Sequence, residues 1–166
     1  MDPISNKTAR TGRAVLAATA FVAGGMMAAH ASAEEVIQLT QTGCQFLEPE
    51  GTDHAYMTSK ADDCNAINTA NGNERLTAAE VLELKPGKYV FRVTNKNVPY
   101  ELGFWLREED YNWANPVHKL TKTSVSGGGL TTGKTQDYEV ELKPGTYLYS
   151  CPLNPTPDYK LVVSQG

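Results

Sequence analysis

The chemistry of this chain concentrates in Tyr147–Leu161, which reads Tyr-Leu-Tyr-Ser-Cys-Pro-Leu-Asn-Pro-Thr-Pro-Asp-Tyr-Lys-Leu. Its thiol, Cys151, follows a strand-like run and opens a loop holding Pro152, Pro155 and Pro157. Proline fixes φ and removes an amide donor, so this loop is stiff and is neither helix nor central strand. A sulfur presented in this way is held in one place, as metal ligation or thiol chemistry requires. Cys44 and Cys64 bring the number of cysteines to three. An odd number in an oxidising compartment predicts one disulfide and one remaining thiol. Other soft donors are scarce: after residue 33 the chain has only His54, His118 and Met57. There is no nucleophile elbow, phosphate loop, HExxH or dinucleotide fingerprint, which argues against a hydrolase or a nucleotide enzyme.

The elements that must position Cys151 follow from the rest of the chain. Lys7, Arg10 and Arg13 precede the apolar run Ala14–Ala29 and an Ala31-Ser32-Ala33 cleavage site, the layout of a secretory signal over residues 1–33. The run is too short and too rich in small residues for a span, so no membrane segment is expected after cleavage. Residues 34–166 are then one domain of 133 residues with a formal charge of −6, since residues 1–33 carry a net +2. That acidity disfavours nucleic acid and anionic lipid and suits cationic partners, metal ions included.

Val36–Leu39 reads as a first strand, with Cys44 just past its end. Residues 45–75 are polar and turn-rich, and only a helical turn around Ala61–Asn68 is predicted within them. So long a connection implies a function or a staple, and Cys64 is the candidate staple. Beyond it the pattern is β, with strands at Val81–Leu84, Tyr89–Thr94, Tyr100–Leu106, Gln136–Leu142 and Tyr159–Val163. Glu-Leu-Lys-Pro-Gly-x-Tyr occurs twice, at Glu83–Tyr89 and Glu141–Tyr147, and each copy predicts a type II turn. Arg107–Leu120 is expected to be irregular or briefly helical, and Gly127–Gly129 a flexible bend. Most aromatics around the middle strand should be core. The class is all-β, an antiparallel sandwich.

Tyr-x-Cys, a ligand loop and a closing strand resemble the end of a cupredoxin, which implies a cupredoxin-like Greek-key fold. A blue-copper site needs two imidazoles and a thiolate. Here Asn154 follows Cys151 at three residues, and the place of the other histidine reads Pro99-Tyr100-Glu101-Leu102. Both histidines are absent, which rules out an ordinary blue-copper site. Cys44, Glu101 and Cys151-x-x-Asn154-Pro155 are similar to the cupredoxin-like domain of bacterial periplasmic ferrous-iron uptake proteins. The likeness covers about residues 35–44 and 78–166, leaving residues 45–77 as an insertion.

This resemblance implies a periplasmic module that binds copper or iron through Cys151 and Glu101, with Cys44 as a third donor. Asn154 reads more as a loop-shaping amide than as a ligand. His54-x-x-Met57 could cap a copper site, although a lone histidine in a polar loop is more often solvated, and His118 reads likewise. A carboxylate in place of imidazole favours the higher oxidation state and a lower potential, suiting metal capture or delivery rather than electron transfer. The chain reads as a non-enzyme, with an accessory part in ferrous-iron oxidation as the one catalytic role the resemblance allows.

The cysteine pairing stays open between Cys44–Cys64, Cys44–Cys151 and three free thiols. The first closes a loop of about 20 residues, for roughly 3 kcal/mol in the chain-entropy account. The second would destroy the metal site. The alternative function, from another class, is a metal-free sandwich binding an envelope protein partner through aromatics such as Tyr100 or Trp113.

Overall fold

The computed structural model describes residues 34–165; the expected signal segment, residues 1–33, lies outside them. Two sheets face each other. One has the order β2-β1-β4-β7, from Gln45–Phe46, Glu35–Thr42, Gly87–Asn95 and Thr135–Leu142. The other has the order β3-β9-β8-β5-β6, from Leu82–Leu84, Tyr159–Val163, Gly145–Ser150, Leu102–Glu108 and Ser124–Leu130. The all-β sandwich is therefore what the chain forms, but its sheets are mixed rather than antiparallel. β1 runs parallel to β4, and β3 parallel to β9. Among the described residues no helix is long and apolar enough to cross a membrane.

Strand alternation builds the core. Tyr89, Phe91 and Val93 of β4 point inward, while Arg92 points out and forms a two-pronged pair with Asp137 of β7 at 2.8 and 2.7 Å. Phe46 is the hub, with its ring centroid 5.7 Å from Tyr149, 5.8 Å from Tyr159 and 6.2 Å from Phe104. Such edge-on aromatic contacts add to the area each ring removes from water.

The repeated Pro-Gly-x-Tyr corners are real, but the turn type differs from expectation. A type II turn needs its glycine near φ +80°. Gly145 instead sits at φ 156°, which is almost extended, and Gly87 is not at positive φ. Each glycine starts a strand, and a tyrosine hydroxyl clamps the corner: Tyr89 donates to the Lys85 carbonyl and Tyr147 to the Lys143 carbonyl, both at 2.9 Å.

Gly127–Gly129 is also corrected, because it belongs to β6 rather than to a flexible bend. A Cβ on Gly127 would lie 2.9 Å from a Tyr138 ring carbon, and one on Gly103 would lie 2.6 Å from the Gly127 carbonyl oxygen. These glycines let β5, β6 and β7 approach beside Cys151.

The insertion holds β2, a one-turn helix α1 (Leu47–Glu50) and an 18-residue helix α2 (Ala61–Ala78). Only one helical turn was expected there, because α2 has no apolar stripe. Its start is satisfied by the Asp63 carboxylate, which accepts the Ser59 and Lys60 amides at 2.8 and 3.1 Å. Its inner face is Cys64, Asn68 and Arg75, a helical spacing of four and seven residues. Each is tied to the sandwich by a covalent or polar contact rather than by hydrophobic burial. Short α3 (His118–Thr121) sits in the β5–β6 connection, as the brief helix expected there.

Candidate functional site

Cys151 directly follows β8 and is buried, with 1% of its surface exposed. Its sulfur accepts the backbone N–H of Gly103 and of Asn154, each at 3.3 Å. Burial pushes the thiol above its ordinary pKa, against the lowering pull of those amides and of the Gln41 side chain. The thiol is thus positioned but is neither accessible nor activated.

Asn154 organises the space beside it. Its Oδ1 accepts the Cys44 amide at 2.9 Å and the Tyr100 hydroxyl at 3.1 Å, and its Nδ2 donates to the Thr42 carbonyl at 2.8 Å. The side chain is fully buried, so these bonds stand in for lost water. It is a loop-shaping amide. Burial raises the Tyr100 phenol, against the opposing pull of the Thr58 hydroxyl, which lies 3.3 Å away and is left to donate to it because the phenol's own proton goes to Asn154.

The disulfide joins Cys44 to Cys64 and leaves Cys151 free. The competing Cys44–Cys151 pairing is therefore not formed. Cys44 is also not available as a thiolate, so the ligand role implied for it does not hold in this oxidised form. The Cys64 sulfur lies 3.2 Å from Asn154 Oδ1; having no proton to give, it makes a close contact there rather than a hydrogen bond. Cys44 adopts a left-handed φ of 62°, unfavourable for a residue with a Cβ. Its amide, carbonyl and sulfur are all tethered, to Asn154, Arg75 and Cys64.

The other expected donors stand apart. Glu101 is exposed, and its carboxylate accepts the Gly129 amide at 2.8 Å, bracing the glycine run. His54 Nε2 lies 2.9 Å from Glu50 and its ring stacks on Tyr56. Met57 is 91% exposed. His118 Nδ1 accepts the Asn112 amide at 3.0 Å beside Tyr111. Among the described residues no three His, Cys, Asp or Glu side chains gather as a metal-holding group. Trp113, one of the aromatics named for partner contact, is exposed.

Two features of this end of the sandwich were not anticipated. Gln41 is fully buried on β1; its Nε2 donates to the Gly103 carbonyl at 2.8 Å, and its Oε1 has no partner. Alternation from Ile37 and Leu39 could have flagged it, since it puts a polar residue at an inward position. The second is the buried cluster of Glu50, Arg75 and Tyr159. Arg75 bonds both Glu50 oxygens at 3.0 and 2.7 Å and reaches the Cys44 carbonyl at 2.8 Å, while the Tyr159 hydroxyl donates to Glu50. Burial would lower the Arg75 guanidinium, but the Glu50 bonds and charge outweigh it, and its pKa is raised. No sequence pattern links residues 25 apart.

An inert thiol is directly measurable. With a thiol-specific reagent the native protein should show no rapid reaction, and one thiol should appear after unfolding without reductant. Rapid native labelling at neutral pH would contradict the buried placement of Cys151.

Neither a family model nor a curated protein matches the sequence. Among solved structures, one of auracyanin B aligns over 79% of this chain and 89% of its own, at 13% identity and a TM-score of 0.47. The sandwich assignment rests on the strand order and register given above.

Proposed function

We propose that this chain is an exported, periplasmic cupredoxin-type sandwich whose ligand end is locked shut, and that it serves as a non-catalytic module for a protein partner in the envelope. The observation carrying this reading is Asn154, at the place of a blue-copper histidine. Its amide oxygen and nitrogen are already engaged by Cys44, Tyr100 and Thr42. The Cys44–Cys64 bond and helix α2 add a covalent cap over the same loop, with Asn68 Nδ2 donating to the Pro155 carbonyl at 2.7 Å. Ligation there would have to break bonds that are buried and mutually satisfied, an expensive exchange. The disulfide suits an exported protein.

The donor set does not fit a blue-copper centre: one buried thiol stands without imidazoles. Anaerobic titration with Cu(I), Cu(II) and Fe(II) tests the reading. The protein should take up no more metal than its Cys151→Ser variant, and Cu(II) should raise no intense blue band. Stoichiometric uptake that depends on Cys151 would overturn it, and an intense blue band would mean that His54 or His118 reaches the sulfur.

A second reading, metal capture, has its own observation. Cys151 is still a thiol, and the unpartnered Gln41 Oε1 is buried in the same region. Cys151 and Gln41 are the residues that would hold a soft cation such as Cu(I). An iron site would also need Glu101 to leave the Gly129 amide. The same titration decides between the two readings.

A further inference from the structure

The side of the sandwich between β1 and β3 carries a cleft of about 620 Å³ that the cysteine end does not involve. β2 pairs only with Gln41 and Thr42, so among the described residues Glu35–Thr40 have no strand partner on that side. In a strand the N–H and C=O of one residue point the same way, and the direction alternates along the chain. The Thr40 N–H points to the open side, where Glu48 accepts it at 2.7 Å. The Gln41 carbonyl points the other way and accepts the Lys96 amide at 3.0 Å. By that alternation Val36 and Gln38 turn their amides and carbonyls to the open edge. Edges are commonly blunted by lysine, proline or a bulge, and Glu35–Thr40 has none of these.

The cleft beside this edge has an apolar floor from Ile37, Leu39 and the buried ring of Tyr149. Its polar lining is one-signed: Glu48, Glu80 and Glu83 contribute carboxylates, and no lysine, arginine or histidine lines it. The field is felt inside, since burial and then the Glu48 and Glu80 charges push the Tyr149 phenol up. A second copy of the chain would bring these carboxylates against themselves. An extended segment with alternating basic and apolar side chains would bring complementary charge, place apolar groups on the floor and complete the hydrogen bonds of Val36 and Gln38.

We propose that this cleft docks an extended, basic segment of a partner protein as an added strand on β1. The proposal rests on the partner-binding reading and names the partner's chemistry. The metal titration is blind to this edge, so either idea can fail alone.

The test uses a fluorescein-labelled octapeptide of alternating lysine and valine, read by anisotropy at low salt. Alternating glutamate–valine and lysine–proline peptides are the controls, because proline keeps the charge but cannot pair with an edge. The lysine–valine peptide should bind, and amide exchange at Val36 and Gln38 should slow. The lysine–proline peptide and the Glu80→Lys/Glu83→Lys variant should each weaken binding by about tenfold or more. Gln38→Pro should do likewise, since proline is tolerated on an edge where its missing N–H faced solvent. Should that variant misfold, the exposed double-lysine variant still carries the test. No binding, equal binding of the lysine–proline peptide, or unchanged exchange at Val36 and Gln38 would each overturn the proposal.

Discussion

Replacing Arg75 by methionine should destabilise the folded chain by about 3–5 kcal/mol, the range for removing one partner of a buried ion pair. The partner left behind, Glu50, has only 2% of its side chain exposed. It would keep the Tyr159 hydroxyl and His54, but lose both guanidinium bonds. The Cys44 carbonyl and the Asn68 side-chain oxygen would also lose their donor. Both losses fall where α2 meets the sandwich, so the change should loosen the helix as well as lower stability. Arg75→Lys should recover only part of the deficit, because one ammonium cannot reproduce a planar fork. Glu50→Gln combined with Arg75→Met should be milder than Arg75→Met alone, because the uncompensated charge is gone. Urea unfolding of the four proteins measures this. A loss below about 1 kcal/mol for Arg75→Met, the scale of an exposed pair, would show that the cluster is hydrated in solution.

How far the sequence revealed this arrangement depends on whether the signal was periodic. The strands were legible because apolar residues that turn to the core, such as Tyr89, Phe91 and Val93, or Tyr147 and Tyr149, recur at every second position. The stiff loop after Cys151 was legible because three prolines restrict it. Strand direction was not, since nothing local tells β1 that it runs parallel to β4. Gly127–Gly129 read as a bend because glycine is permissive; the requirement it meets here is close approach to Tyr138 and Gly103.

Helix α2 escaped because amphipathic patterning looks for apolar residues. Its inward face is a cysteine, an asparagine and an arginine, each useful only through a partner elsewhere in the chain. Asn154 was expected to shape its loop, but its bonding to Cys44 and Thr42, 110 and 112 residues away in sequence, could not be read from spacing.

Removing the disulfide with Cys44→Ser and Cys64→Ser together should cost about 3 kcal/mol, as expected for closing a loop of this length. The separation is 20 residues, and the loop contains β2, α1 and the start of α2. Serine at both positions is needed, because a single change would leave a thiol free to pair with Cys151. The native cost has two parts. The unfolded chain regains its loop entropy, and Cys44 loses a tether holding its left-handed backbone. Combining this variant with Arg75→Met should give a loss smaller than the sum of the two. Both changes release the same helix from the same cysteine, and contacts that share a segment do not add. Urea midpoints for the wild type, the serine pair, Arg75→Met and the combination close the cycle. Strict additivity within about 0.5 kcal/mol would mean that α2 is held at two independent points, not as one unit.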